Sequence, residues 1–163
     1  MTQKRVVVAM SGGVDSSVAA LMLARQGYEV IGVSLRLFTD ERPNAAPLNR
    51  GCCTAEDIED ARRVCQLIGA RHYVVNAERE FREFVINYFL REYQRGRTPH
   101  PCIACNDRIK FDFLLERALA FDASLIATGH YARIRHEPNG EFHLLRAIDH
   151  SKDQSYVLFG LSQ

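Results

Sequence analysis

The sequence predicts an α/β domain: a mostly parallel sheet with helices on both faces and a small β-hairpin near the C-terminus. Three observations carry that prediction. Apolar, β-branched runs at Lys4–Met10 and Glu29–Leu37 have the pattern of strands buried on both faces. Segments with helical apolar spacing alternate with such runs, which is the signature of βαβ units. The chain has 163 residues, 47% of them apolar and 25% charged, which is the length and balance of one domain with a core of its own.

The elements follow in order. After the strand Lys4–Met10, the segment from about Asp15 to Gln26 spaces its apolar residues as a helix does and stops at Gly27, a good C-cap residue. Glu29–Leu37 is the second strand, and Thr39 to Gly51, rich in Pro, Asn and charge, reads as a surface loop. Thr54 with Asp57 three residues on resembles a capping box, and Ile58, Ala61, Cys65 and Ile68 then share one helical face. Cys65 on that face reads as packed core, and Gly69 ends the helix. His72–Asn76 is a third strand. Phe81–Tyr93 and Arg108–Phe121 are amphipathic helices separated by a loop, Gly96–Asn106. Ser124–Thr128 is a fourth strand, and Tyr131–Ile148, with Asn139-Gly140 at its centre, reads as a hairpin.

Charge and composition bound the function. Lys and Arg number 21 against 20 Asp and Glu, so no global field attracts nucleic acid and any such site must be a local patch. No apolar run is long enough for a transmembrane helix, and the N-terminus lacks the apolar core of a signal peptide. Five cysteines, an odd number, then point to reduced thiols and a cytoplasmic protein with no membrane partner.

Residues 11–17, SGGVDSS, fall at the carboxyl end of the first strand, where ligands bind in open α/β sheets. Neither the lysine of a Walker A loop nor the Rossmann glycine spacing is present. Two adjacent glycines let backbone approach a ligand, the N–H groups of the helix start form an anion nest, and Ser11, Ser16 and Ser17 add hydroxyl donors. Asp15 would repel bare phosphate and therefore points to magnesium, which takes oxygen ligands. The motif resembles the PP-loop of the ATP pyrophosphatases, whose fold is of the adenine nucleotide alpha hydrolase type. That resemblance implies ATP split between the α- and β-phosphates.

A second constellation runs from Arg95 to Phe111. Arg91 to Lys110 carries Arg91, Arg95, Arg97, Arg108 and Lys110 against Glu92 and Asp107, a local basic patch able to contact an RNA backbone. Within it Cys105 is expected just before a helix, where the helix dipole with Arg108 and Lys110 favours the thiolate. Cys102-x-x-Cys105 also presents two soft thiolates at the spacing of an iron–sulfur ligand pair. Structural zinc would need a second ligand pair, which adjacent Cys52-Cys53 supplies poorly.

Together these pieces resemble the N-terminal part of the tRNA-specific 2-thiouridylases. The matching residues are Ala9 to Ser17, Gly51-Cys52-Cys53-Thr54, Gly96-Arg97-Thr98-Pro99, Cys105-Asn106, Ile109-Lys110-Phe111, Ala127 to Tyr131 and Lys152 to Tyr156. The resemblance implies that residues 1–163 form the ATP-binding catalytic domain of a longer enzyme that thiolates the wobble uridine at carbon 2. It implies an ATP site of Ala9, Met10, Ser11, Gly12, Gly13, Val14, Asp15, Ser16, Ser17, Leu35 and Gly129, with Cys105 catalytic. His100, Pro101 and Cys102 would approach the base, and Lys152, Asp153 and Gln154 would contact the tRNA. Its cofactors would be ATP and magnesium, its partners tRNA and a sulfur-donor protein, with a second catalytic cysteine downstream. This chain has His100-Pro101-Cys102 where family members often carry Asn-Pro-Asp. His130 fits either a site-lining or a structural role. An ammonia-using PP-loop amidotransferase or ligase and a non-catalytic nucleotide- or RNA-binding module are the competing readings.

Overall fold

The computed structural model describes residues 3–38 and 54–162; the expected 39–51 loop and Cys52-Cys53 lie outside them. Strands β1 (Arg5–Ala9), β2 (Glu29–Arg36), β3 (Arg71–Asn76) and β4 (Leu125–Ala127) form one sheet in the order β3-β2-β1-β4. All three pairings are parallel, with Val7 opposite Ile31 on one side and Ile126 on the other. Helices α1 (Val14–Arg25) and α2 (Ala55–Leu67) cover one face. Helix α3, residues 78–94, and helix α4, residues 101–119, cover the other.

The period-2 alternation of a strand distributes the core between the faces. Val6, Val8 and Met10 of β1 pack with Ala20 of α1 and Ala61 and Cys65 of α2. Val7 points the other way, with Ile31, Val33 and Leu35, onto Val85 of α3 and Ile109, Phe113 and Leu114 of α4. Cys65 is core, as its helical position predicts: it is fully buried, and a Cβ on Gly32 would fall 2.4 Å from its sulfur. β1 is thus buried on both faces, which is why it reads as an uninterrupted apolar run.

The expected elements form, with two differences. Helix α4 begins at Pro101, seven residues before the expected Arg108. A proline at the first helical position gives up only an N–H that has no intrahelical partner there, so Pro101 starts the helix instead of interrupting a loop. Both α3 and α4 also contain π-wound stretches, Arg82–Ile86 and Asn106–Phe113, which apolar spacing does not reveal. The antiparallel hairpin pairs β5 (Arg133–His136) with β6 (Phe142–Leu145), and Gly140 takes the left-handed φ of 90° that closes its turn. Two 3₁₀ turns, His150–Lys152 and Ser155–Leu158, follow.

Candidate active site

The chain runs β1, β2, β3 in one direction across the sheet and then crosses to put β4 on the other side of β1. The carboxyl ends of β1 and β4 therefore diverge at a switch point, the place where such sheets bind ligands. A cleft of about 520 Å³ opens there. Ala9, Met10, Ser11, Asp15 and Ser16 line it from the β1–α1 turn, and Leu35, Leu37 and Phe38 from the end of β2. Pro101, Cys102, Cys105, Asn106, Ile109 and Lys110 of α4 form the opposite wall. Thr128, Gly129 and His130 close it after β4, and Gln154, Tyr156 and Val157 form the outer rim.

The β1–α1 turn is built to leave donors open. Gly12 has φ 79°, and Gly13, the N-cap, is extended and gives α1 no side-chain cap. The N–H groups of the first helical turn thus lack the intrahelical and side-chain partners that a capped helix has. The three serines divide their work. Ser16, 3% exposed, accepts from the Ser11 N–H at 3.2 Å and donates to the Gly13 carbonyl at 3.2 Å, and Ser17 donates to the same carbonyl at 2.8 Å. Those two hydroxyls brace the turn, and Ser11 is the exposed one. Gly12 serves as a corner: a Cβ there would lie 2.3 Å from the Asp57 carbonyl oxygen at the start of α2.

Gly129 is required by packing as well. A Cβ on it would sit 2.6 Å from the Asp15 carbonyl carbon and from the Ser16 nitrogen, so only glycine lets the chain after β4 lie on the first turn of α1. That approach places the Tyr131 hydroxyl on Asp15, where it donates to Oδ1 at 3.0 Å across 116 residues of sequence. The contact was not visible in the sequence, because nothing local links the two positions.

On the α4 wall the expectation for Cys105 is corrected. Cys105 closes the opening segment Pro101–Cys105 instead of preceding a helix, so the first-turn dipole acts on Cys102 and has faded at Cys105. Both thiols line the cleft, one helical turn apart, and no disulfide joins Cys65, Cys102 or Cys105. Among the described residues no group of three or more His, Cys, Asp or Glu side chains is placed to hold a metal. Asn106, 2% exposed, donates from Nδ2 to the Val157 carbonyl at 3.3 Å and keeps its Oδ1 without a hydrogen-bond partner among the described residues.

His130 bonds the Thr128 hydroxyl through Nδ1 at 2.6 Å. Burial, helped by the Lys110 cation, pushes its pKa down to about 4, so the imidazole in the cleft is neutral at physiological pH. The basic patch is partly paired: Arg95 and Arg97 both reach Glu92, at 3.3 and 3.6 Å, and Arg108 reaches Asp112 at 3.2 Å. Glu92 is largely buried, but the three arginine side chains are exposed, so the cations stay available to a polyanion. Of the expected RNA contacts, His100 stacks edge-on near Tyr156, with ring centroids 5.7 Å apart. The Asp153 carboxylate is engaged within the chain, accepting from the Ala147 N–H at 2.8 Å and the Ser155 hydroxyl at 2.9 Å. Gln154 exchanges two hydrogen bonds with the Tyr131 backbone, at 3.0 and 2.8 Å. Among the described residues no helix is long and apolar enough to cross a membrane.

Comparison with known proteins adds family evidence. The family model described as "tRNA methyl transferase HUP domain" matches residues 4–163. The tRNA-specific 2-thiouridylase MnmA of Halothermothrix orenii is 55% identical over 161 residues, 98% of this chain and 44% of its own length. That of Geobacter metallireducens is 54% identical over 164 residues, 99% of this chain and 44% of its own. The chain therefore spans less than half the length of these relatives. Among solved structures, an NH3-dependent NAD synthetase from Campylobacter jejuni superposes with a TM-score of 0.48 at 19% identity, over 77% of this chain and 46% of that one.

Proposed function

Because the chain belongs to the tRNA methyl transferase HUP domain family, we propose that it is the ATP-binding catalytic domain of a cytoplasmic tRNA 2-thiouridylase. The observation that carries this reading is the opening of an uncapped helix start and a cysteine thiol into one cleft. An ammonia-using ligase of the same fold has no need of a thiol opposite its phosphates. Methyl transfer, the activity in the family's descriptive name, has no need of a nest for a triphosphate.

In this reading the first-turn N–H groups of α1 and the Ser11 hydroxyl bind ATP phosphates, and Ser16 and Ser17 keep the turn rigid. Asp15 fits magnesium: it is an exposed carboxylate with one oxygen taken by Tyr131, and magnesium bound with phosphates uses one or two carboxylates and keeps its waters. When bound, the ion neutralises phosphate charge. The wobble uridine's carbon-2 oxygen attacks the α-phosphate, forming the adenylated base and releasing pyrophosphate. The terminal sulfur of a cysteine persulfide then bonds to carbon 2, AMP leaves with the oxygen, and the Cys105 thiolate attacks the carrier cysteine's sulfur, forming a disulfide and freeing the thiocarbonyl. The chain's contribution to the first step is placement and charge stabilisation, and Cys105 on the α4 wall serves the second. The tRNA lies over the cleft rim, on the 91–110 cations and the 152–154 segment, and a sulfur-donor protein supplies a persulfide carried by a further cysteine.

Cys102 and Cys105, one turn apart on the same wall, favour a second reading in which they hold an iron–sulfur cluster. Two thiolates fall short of a cluster's ligand set, and no third His, Cys, Asp or Glu among the described residues completes it, so the Cys105 thiol is preferred. The test uses the full-length protein: unmodified tRNA should trigger pyrophosphate release from ATP, and Cys105→Ser should abolish thiolation with ATP binding intact. Cys102→Ser should retain activity in a colourless protein. A brown, anaerobically prepared wild type that bleaches and loses activity on this substitution would give the assignment to the cluster.

A further inference from the structure

Tyr131 joins two parts of the molecule that the proposed function uses separately. Its hydroxyl donates to Asp15 Oδ1 at 3.0 Å. Its backbone N–H donates to Gln154 Oε1 at 3.0 Å, and its carbonyl accepts from the Gln154 N–H at 2.8 Å. The Lys152 ammonium lies 5.5 Å from the centroid of its ring, within cation–π range. The base of this arrangement is fixed, because Gly129, two residues earlier, lies on the Asp15–Ser16 backbone with no room for a Cβ.

The geometry points to Tyr131 as a positioning residue that ties the Asp15 carboxylate to the 152–154 segment, so that magnesium–ATP at the first strengthens tRNA binding by the second. The inference rests on the function proposed above. A hydrogen bond to an ionised acceptor is among the stronger ones, so the carboxylate is held in one orientation when tRNA holds the 152–154 segment and Tyr131 with it. The reverse also follows: a carboxylate ordered by the nucleotide and its ion holds Tyr131, and with it Lys152 and Gln154, in the RNA-contacting arrangement. Binding linkage makes these two effects equal.

Tyr131→Phe removes the hydroxyl alone. The ring stays beneath Lys152 and the backbone stays bonded to Gln154, so a structural role for the side chain is preserved while the tie is cut. The readout is the ratio of tRNA dissociation constants without and with magnesium–ATP, measured on the full-length protein with an unmodified tRNA transcript. A ratio is blind to any uniform loss of binding or folded fraction. Wild type should show a ratio of about five or more, the low end of ordinary coupling. In Tyr131→Phe the ratio should fall to within about twofold of one, the thermal melt unchanged. A variant ratio equal to wild type, or a wild-type ratio of one, overturns the tie and leaves the proposed function standing. Two results overturn both: a wild type that binds no tRNA, or an Asp15→Asn protein that binds magnesium–ATP as tightly as wild type.

Discussion

Helices α1 and α2 begin side by side, with Gly12 of one turn against the Asp57 backbone of the other, and the two starts are finished in opposite ways. At α2 the Thr54 side chain accepts from the Asp57 N–H at 3.2 Å, and the Asp57 carboxylate accepts from the Thr54 N–H at 2.8 Å. That reciprocal box satisfies two first-turn donors from within the chain. At α1 the N-cap is Gly13, which has no side chain to offer, and the donors are left for a ligand. Glycine is only a few tenths of a kcal/mol worse than serine or threonine as an N-cap, so leaving α1 open costs the fold little. An anion site here is a cap withheld, at a helix start that faces the cleft.

The largest effect should come from forcing the two starts apart. Gly12→Ala places a methyl 2.3 Å from the Asp57 carbonyl oxygen, at a φ of 79° that side chains rarely adopt. Neither backbone can yield without moving its helix. We expect a loss of more than about 3 kcal/mol in urea denaturation, with ATP binding abolished. A loss under about 1 kcal/mol would mean the starts are not rigidly packed.

Transplanting a cap sharpens the comparison. Gly13 is extended, with φ −81° and ψ 167°, and a Cβ there meets only the Ser11 hydroxyl at an ordinary 3.5 Å. Gly13→Asp should therefore fold, cap α1 and set a like charge where phosphates bind. ATP affinity by calorimetry should drop about tenfold or more, while the urea midpoint holds or rises. Unchanged affinity would place the nucleotide elsewhere.

Beside the uncapped turn, His130 makes the site sensitive to acid. Its folded pKa of about 4 lies below its ordinary 6.5, so the fold favours the neutral ring. The associated stability is fully present above about pH 6.5 and is lost as pH falls through about 4. His130→Gln should flatten urea stability across that window, leaving a smaller slope from His72, which burial shifts in the same direction. A wild-type stability that is flat from pH 7 to 4 would contradict the burial of a neutral His130.

Much of this was legible in the sequence, for reasons of range. The four strands, the α2 capping box and the glycine ends of α1 and α2 are local patterns, and each formed where the pattern placed it. The candidate site was legible as the SGGVDSS turn and the Cys102–Cys105 pair, which the fold brings to one cleft. Pro101 was misread because proline signals a break in most contexts and a start only at the first helical position. The π-winding of 106–113 leaves no trace in apolar spacing. Gly129 on Asp15, and Tyr131 with it, depend on β4 crossing to the far side of β1, a long-range fact that no local pattern encodes.

The smallest effect is the mirror of the transplanted cap. Thr54→Ala removes the side-chain acceptor at α2 while leaving the Asp57 backbone that Gly12 packs against. The usual cost of such a loss is about 1 kcal/mol, read as a lower urea midpoint. Thr54→Ser, which keeps the oxygen, should recover it. ATP affinity should stay within about twofold in both variants, because the α2 donors are satisfied internally and take no part in binding phosphate. The outcome that would break the comparison is an ATP affinity that falls with Thr54→Ala and returns with Thr54→Ser. The capped start would then be setting the geometry of the open one through the Gly12 contact, and the two ends would have to be treated as a single anion-binding unit.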